Sequence, residues 1–268
     1  MTATAAVSAS PALADSTNSS NWAGYAVHRQ GVSFGSVTGT WRQPKVHCTP
    51  GTPTYSAFWV GLGGYSLNAP ALEQTGTEVD CSPSGKIVST AWYELVPGPS
   101  VPIRLNVRPG DRIRATVKVS GHRATIRLDD LTRHRGFHKT VFPAKIDVSS
   151  AEWIVEAPSE CVSAGSCQTL PLAKFAPTRF GAASVRSTSG HIGTISDPAW
   201  AWTRITLTPR GRHFSVQGPS RASAATARPS SLLSEGSAFA VNYAEGRMPA
   251  GEVARARAAS LGAGQLYH

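Results

Sequence analysis

The side chains best placed for chemistry in this chain are carboxylates set among apolar β-formers. Ala151-Glu152-Trp153-Ile154-Val155-Glu156-Ala157-Pro158 has an apolar centre and a proline at its end, the pattern of a strand. Successive strand side chains point to opposite faces, so Trp153 and Val155 share one side and Glu152, Ile154 and Glu156 the other. A carboxylate following Trp-Ile-Val needs a solvated cleft or specific partners. Glu156 is therefore a candidate for chemistry. The same parity gathers further polar groups from neighbouring runs. Gln74, Gly76, Glu78 and Asp80 share a face, Trp92 and Glu94 share another, and Trp59 lies opposite Phe58 and Val60. If every apolar set turns to the core, Trp59, Gln74, Glu78, Trp92, Glu94 and Glu156 all face outward. Acids, an amide and two tryptophans on one sheet face make a binding cleft rather than a random surface.

The elements that must position these residues read as many short strands spaced by Gly/Pro turns. Strands are expected over residues 21–27, 37–41, 55–63, 71–80 and 89–96, then over 101–107 and 112–119 about the Arg108-Pro109-Gly110-Asp111 turn. A hairpin follows at 123–128 and 139–142, then the 151–157 strand, with others at 182–187, 202–207 and 238–243. Such a series predicts an all-β sandwich or barrel. Only residues 253–261 carry a helical period. Residues 218–232 are a low-complexity surface loop, 244–268 a weakly ordered tail, and 15–243 one domain without internal repeats.

Composition narrows the partners. The chain has 268 residues, 16% of them charged, with 25 Gly and 19 Pro and a formal net charge of +10. That excess could draw nucleic acid, yet the basic residues are scattered apart from Arg133-His134-Arg135 and His138-Lys139, and no nucleic-acid motif accompanies them. A solvated hairpin end is expected there and no nucleic-acid partner. No run approaches the ~20 apolar residues of a membrane span, so no membrane partner is expected. Cys48, Cys81, Cys161 and Cys167 show no zinc spacing, so no metal is expected, and an even count fits two disulfides in an oxidising compartment. Cys161 and Cys167 bracket a short loop, while Cys48 and Cys81 flank the Trp59 and Gln74 strands, so the expected bridges are Cys48–Cys81 and Cys161–Cys167. Residues 2–14 are small and apolar, and Ala12-Leu13-Ala14 resembles the end of a signal peptide. The basic segment that should precede it is missing, so a start upstream of Met1, removal of residues 1–14 and secretion are expected.

Five motifs now stand in order: Asn21-Trp22-Ala23-Gly24-Tyr25, Phe58-Trp59-Val60-Gly61, Gln74-Thr75-Gly76, Ala91-Trp92-Tyr93-Glu94 and Ala151-Glu152-Trp153-Ile154-Val155-Glu156. Their order resembles that of the glutamic peptidases (eqolisins, peptidase family G1), from about residue 21 to 243. The resemblance implies a two-sheet antiparallel β-sandwich of concanavalin A or lectin-like jelly-roll type, with the site on its concave face. It also implies a Gln/Glu dyad, carried over as Gln74 and Glu156, with Trp59, Trp92, Glu94 and Glu78 at cleft positions. Three positions depart from the family pattern. Gly63 stands where fungal members carry an acid, Glu78 replaces an Asp, and Val96 replaces a cleft Tyr.

Those residue types suit peptide hydrolysis. A carboxylate can take a proton from water and return it to the leaving amine, and a carboxamide can donate N–H to the developing oxyanion. No metal, cofactor or covalent intermediate is required. A monomeric enzyme acting on peptide or protein substrates below neutral pH is expected. Gly31-Val32-Ser33-Phe34-Gly35 matches the nucleophile-elbow string but lacks a following helix. The rival reading is a non-catalytic carbohydrate- or peptide-binding sandwich, an inactive peptidase relative included, that uses Trp59 and Trp92 as stacking platforms.

Overall fold

The structure is a computed structural model that describes residues 14–66, 68–163, 166–214, 225–245 and 265–268. Residues 1–13 of the expected leader, 218–224 of the expected loop and the helical period at 253–261 lie outside the described residues. Every regular element among the described residues is a strand. That agrees with the β-branched, alternating runs of the sequence.

Two antiparallel layers make a sandwich. The site layer runs, in spatial order, through Val101–Ile103, Ile87–Val96, Leu72–Cys81, Ala57–Gly63, Ser150–Glu156, Trp22–His28 and Ala201–Leu207. Thr226–Pro229, Phe239–Ala244 and Thr178–Ser187 continue this sheet around to the second layer, Phe34–Arg42, Arg112–Ser120, Arg123–Asp130 and Arg135–Val141. Ala14–Ser19 pairs in parallel with Ala201–Leu207. The polar residues 15–20 are thereby held on a neighbouring backbone, which replaces hydrophobic pattern as the ordering force. In the same way Thr226–Pro229 and Gln265–Tyr267 are strands where the sequence reads as loop and tail. Residues 101–107 shorten to Val101–Ile103.

The two layers bury different kinds of face. In Arg112–Ser120, Ile113, Ala115, Val117 and Val119 point to the core while Arg112, Arg114 and Lys118 are exposed, a half-buried alternation. Ser150–Glu156, by contrast, is buried along its whole length. Ala151, Trp153 and Val155 pack into the main core, and Ile154 joins a second cluster with Trp22, Trp59, Trp92 and Phe214 on the other face. Polar ties lock the layers. Trp153 Nε1 donates to Thr38 O at 2.8 Å, and Trp41 Nε1 donates to Thr77 Oγ1 at 3.0 Å. Disulfides join Cys48 to Cys81 and Cys161 to Cys167.

Candidate active site

Strand register decides which side chains meet. Glu152, Gly61, Gln74 and Glu94 form one row across four strands, and Glu156, Ala57, Glu78 and Thr90 form another, four residues along. Ile154, Trp59, Gly76 and Trp92 lie between them. Directly opposed residues share a face, so all six residues singled out from the sequence lie on one face. Gly76 has a spacing role here: a Cβ on it would lie 2.2 Å from Phe58 O and 2.6 Å from Trp59 Cβ. Any larger residue would push the Phe58–Trp59 backbone away.

Glu156 sits in a set of fixed donors. Trp59 Nε1 donates to Oε2 at 2.8 Å, and Asn21 Nδ2 donates to Oε1 at 3.1 Å. Asn21 is itself pinned. Its Nδ2 donates to Phe214 O at 2.6 Å, and its Oδ1 accepts from Phe214 N at 3.0 Å. Trp22 completes this flank, edge-on to Trp59 and stacked on Phe214. Each carboxylate oxygen holds one donor and keeps lone-pair capacity for a water.

Gln74 lies at the other end of the face. Its Nε2 donates to Glu94 Oε2 at 2.7 Å and to the carbonyl oxygen of His268 at 2.7 Å. His268 N donates back to Glu94 Oε2 at 3.0 Å. The His268 ring stacks on Trp92 with centroids 3.9 Å apart and planes 16° from parallel. Its Nε2 lies 3.6 Å from Glu78 Oε1, beyond hydrogen-bond distance. Glu78 Oε2 accepts from Thr90 Oγ1 at 3.1 Å.

The face is therefore not open to water as parity suggested. Gln74, Glu94 and Trp59 are 0% exposed and Glu156 is 2% exposed. The reason is tertiary: Trp22, Phe214 and His268 come from distant parts of the chain and cover it. Burial governs the protonation states. It pushes Glu156 up to about 8, against the opposing pull of the hydrogen bonds from Trp59 and Asn21. Burial also raises Glu78, with the charge of Asp80 adding to it, and raises Glu94 well above the ordinary carboxyl range, partly offset by His268 N–H. Burial pushes His268 down to about 3, so its ring is neutral. One ionised carboxylate among neutral neighbours is the arrangement such a cluster favours. Glu156 and Glu94 each accept two N–H bonds, but those of Glu156 are divided between its two oxygens whereas both of those of Glu94 fall on Oε2.

Sequence reasoning did not assign roles to Asn21, Trp22, Phe214 or His268. The first two lie inside a quoted motif, which was a usable signal. Nothing local marks Phe214 or His268. Glu152 shares the face and row of Gln74, yet neither of its oxygens has a hydrogen-bond partner among the described residues. Among the described residues no group of three or more His, Cys, Asp or Glu is placed to hold a metal ion.

Comparisons with known proteins agree on one group. A profile of the Peptidase A4 family matches residues 20–212. Scytalido-glutamic peptidase, solved with a transition state analog inhibitor, superposes with a TM-score of 0.65 at 23% identity, covering 84% of this chain and 98% of that one. SCP-B, a member of the eqolisin family of peptidases solved with the tripeptide Ala-Ile-His, gives 0.63 at 23% identity over the same shares. Aspergilloglutamic peptidase from Aspergillus niger gives 0.54 at 24% identity, covering 71% of this chain and 99% of that one. These likenesses establish the fold. No curated protein sequence matches.

Proposed function

The chain belongs to the Peptidase A4 family, and on that premise we propose that it is a secreted, acid-acting endopeptidase whose working pair is Glu156 and Gln74. Glu156, ionised, takes a proton from a water held between the two side chains, and the hydroxide attacks the scissile carbonyl carbon. Gln74 Nε2 donates to the oxygen as it becomes an anion. The proton on Glu156 then passes to the leaving amine as the C–N bond breaks. Glu94 positions Gln74, its Oε2 accepting from Gln74 Nε2 at 2.7 Å and from His268 N at 3.0 Å.

The observation that carries this reading is the 2.7 Å bond from Gln74 Nε2 to the main-chain oxygen of His268, the last residue of the sequence. It supports Gln74 as a donor to the carbonyl of a peptide lying in the cleft. Asn21 and Trp59 support Glu156 as the carboxylate kept available for the proton. Trp92, Glu78 and Trp59 line the path of the substrate. Burial holds Glu156 at about 8 in the covered cleft, so acid activity requires an opened, hydrated cleft to bring Glu156 back towards the ordinary carboxyl range while Glu78 and Glu94 stay neutral. Two disulfides support an oxidising compartment, and among the described residues no helix is long and apolar enough to cross a membrane. Peptide cleavage measured from acidic to neutral pH on the parent and on Glu156→Gln tests the proposal. A bound peptide that neither form cleaves would leave only the binding-module reading.

A further inference from the structure

Residues 265–268 enter the cleft from a strand of their own. Gln265–Tyr267 pairs antiparallel with Ser159–Ser163, placing Tyr267 opposite Ser159, Leu266 opposite Glu160 and Gln265 opposite Cys161. On its other side, Leu266 O accepts from both N and Oγ of Ser100 at 3.2 Å. The backbone is thus gripped from two sides, the way an extended peptide is taken up by strand addition. His268 then reaches the polar face, where its N–H donates to Glu94, its carbonyl accepts from Gln74 and its ring covers Trp92.

We propose that residues 265–268 are an intramolecular ligand of the cleft, bound as the residues on the acyl side of a scissile bond would be, and that they compete with substrate for Gln74, Glu94 and Trp92. The inference rests on the peptidase reading above and adds to it a regulation and a side-chain preference. The main-chain oxygen of His268 occupies the donor that a reacting carbonyl needs, so substrate and segment exclude one another. The position over Trp92 takes a flat ring, and peptides with histidine or an aromatic residue immediately before the cleaved bond are the matching substrates. The occupant is built to leave. Neither ring nitrogen of His268 has a hydrogen-bond partner among the described residues, and burying such groups unpaired costs affinity.

The test deletes residues 265–268 from the full chain and compares steady-state cleavage of a fluorogenic peptide by the two forms. If the segment leaves the cleft free about one-tenth of the time, its loss lowers KM about tenfold with kcat nearly unchanged. The synthetic tetrapeptide Gln-Leu-Tyr-His should then inhibit the shortened chain competitively. His268→Gly, which keeps the strand and removes only the ring, should lower KM by a smaller factor. A KM within twofold of the parent, together with no competition by the tetrapeptide, overturns the proposal and leaves the dyad reading standing. If neither form cleaves peptides, the peptidase reading fails. Calorimetric titration of the tetrapeptide into the shortened chain then decides occupancy alone: saturable binding supports it, and its absence overturns it.

Discussion

Glu152 stands level with Gln74 across Gly61, whereas Glu156 stands level with Glu78 across Ala57. Row position alone would therefore pair Gln74 with Glu152. Hydrogen bonding argues otherwise, because Glu156 holds two N–H donors and the oxygens of Glu152 hold none. A carboxylate without donors in a dry site stays protonated and cannot serve as a base.

Exchange of the two acids separates these arguments. Glu156→Gln should lower kcat by roughly 10²–10⁴-fold with little loss of fold, the usual worth of general acid–base catalysis. Glu152→Gln should retain most activity. Steady-state kinetics with thermal melts on both variants checks this, and a reversed order of losses would make Glu152 the base.

Gln74→Ala removes the donor aimed at the reacting oxygen. We expect kcat to fall by about 10²–10³-fold with KM nearly unchanged, because that bond strengthens most in the transition state. A large rise in KM at constant kcat would assign Gln74 to ground-state binding instead.

Stability should fall as pH rises. Glu73 is buried, with no hydrogen-bond partner among the described residues for either oxygen, and burial lifts it from 4.5 to about 8. Burial likewise lifts Asp80 from 3.8 to about 7. For such groups the folded state keeps a proton that the unfolded chain releases. Their contribution is intact below the unfolded values and declines as pH climbs to about 7 to 8. Glu73→Gln should leave denaturant midpoints near pH 4 unchanged. At pH 8 it should raise stability by several (~3–5) kcal/mol, at about 1.4 kcal/mol per unit of displacement. Equal effects of the substitution at both pH values would contradict the assignment.

The two disulfides should differ in what they protect. Cys48–Cys81 spans 33 residues and Cys161–Cys167 spans 6. The chain-entropy relation gives about 4 kcal/mol for the longer loop and about 2 for the shorter. Double Ser variants should lose stability in that order on chemical denaturation. The short bridge closes the strand that carries residues 265–268, so its loss should also change KM. A KM unaffected by opening it would separate that strand from the cleft.

Much of the architecture was readable from local pattern. Alternation in residues 112–119 and 123–128 predicts half-buried strands, and Arg112–Ser120 and Arg123–Asp130 show that alternation in their burial. Among the strands that escaped notice, Ala14–Ser19, Thr226–Pro229 and Gln265–Tyr267 fall where the sequence reads as polar, low-complexity or tail, and Ser159–Ser163 and Ser166–Thr169 carry no apolar alternation. Ala14–Ser19 and Gln265–Tyr267 are ordered by pairing with strands more than 100 residues away in sequence, which no local window contains.

The sequence by itself determined the all-β class, the face shared by Gln74, Glu78, Trp92, Glu94, Trp59 and Glu156, and the order of the five motifs. It could do so because strand parity has a period of two and needs no knowledge of partners. Only the tertiary structure decided which rows line up, that Asn21 and Trp59 hold Glu156, and that His268 covers Trp92. Those contacts join residues 97 to 176 positions apart, and burial by such remote side chains is what turns an outward-facing polar row into a dry, charge-selective site. Register and cover are properties of the assembled sheet, and desolvation, the largest influence on Glu156, does not exist until that sheet closes.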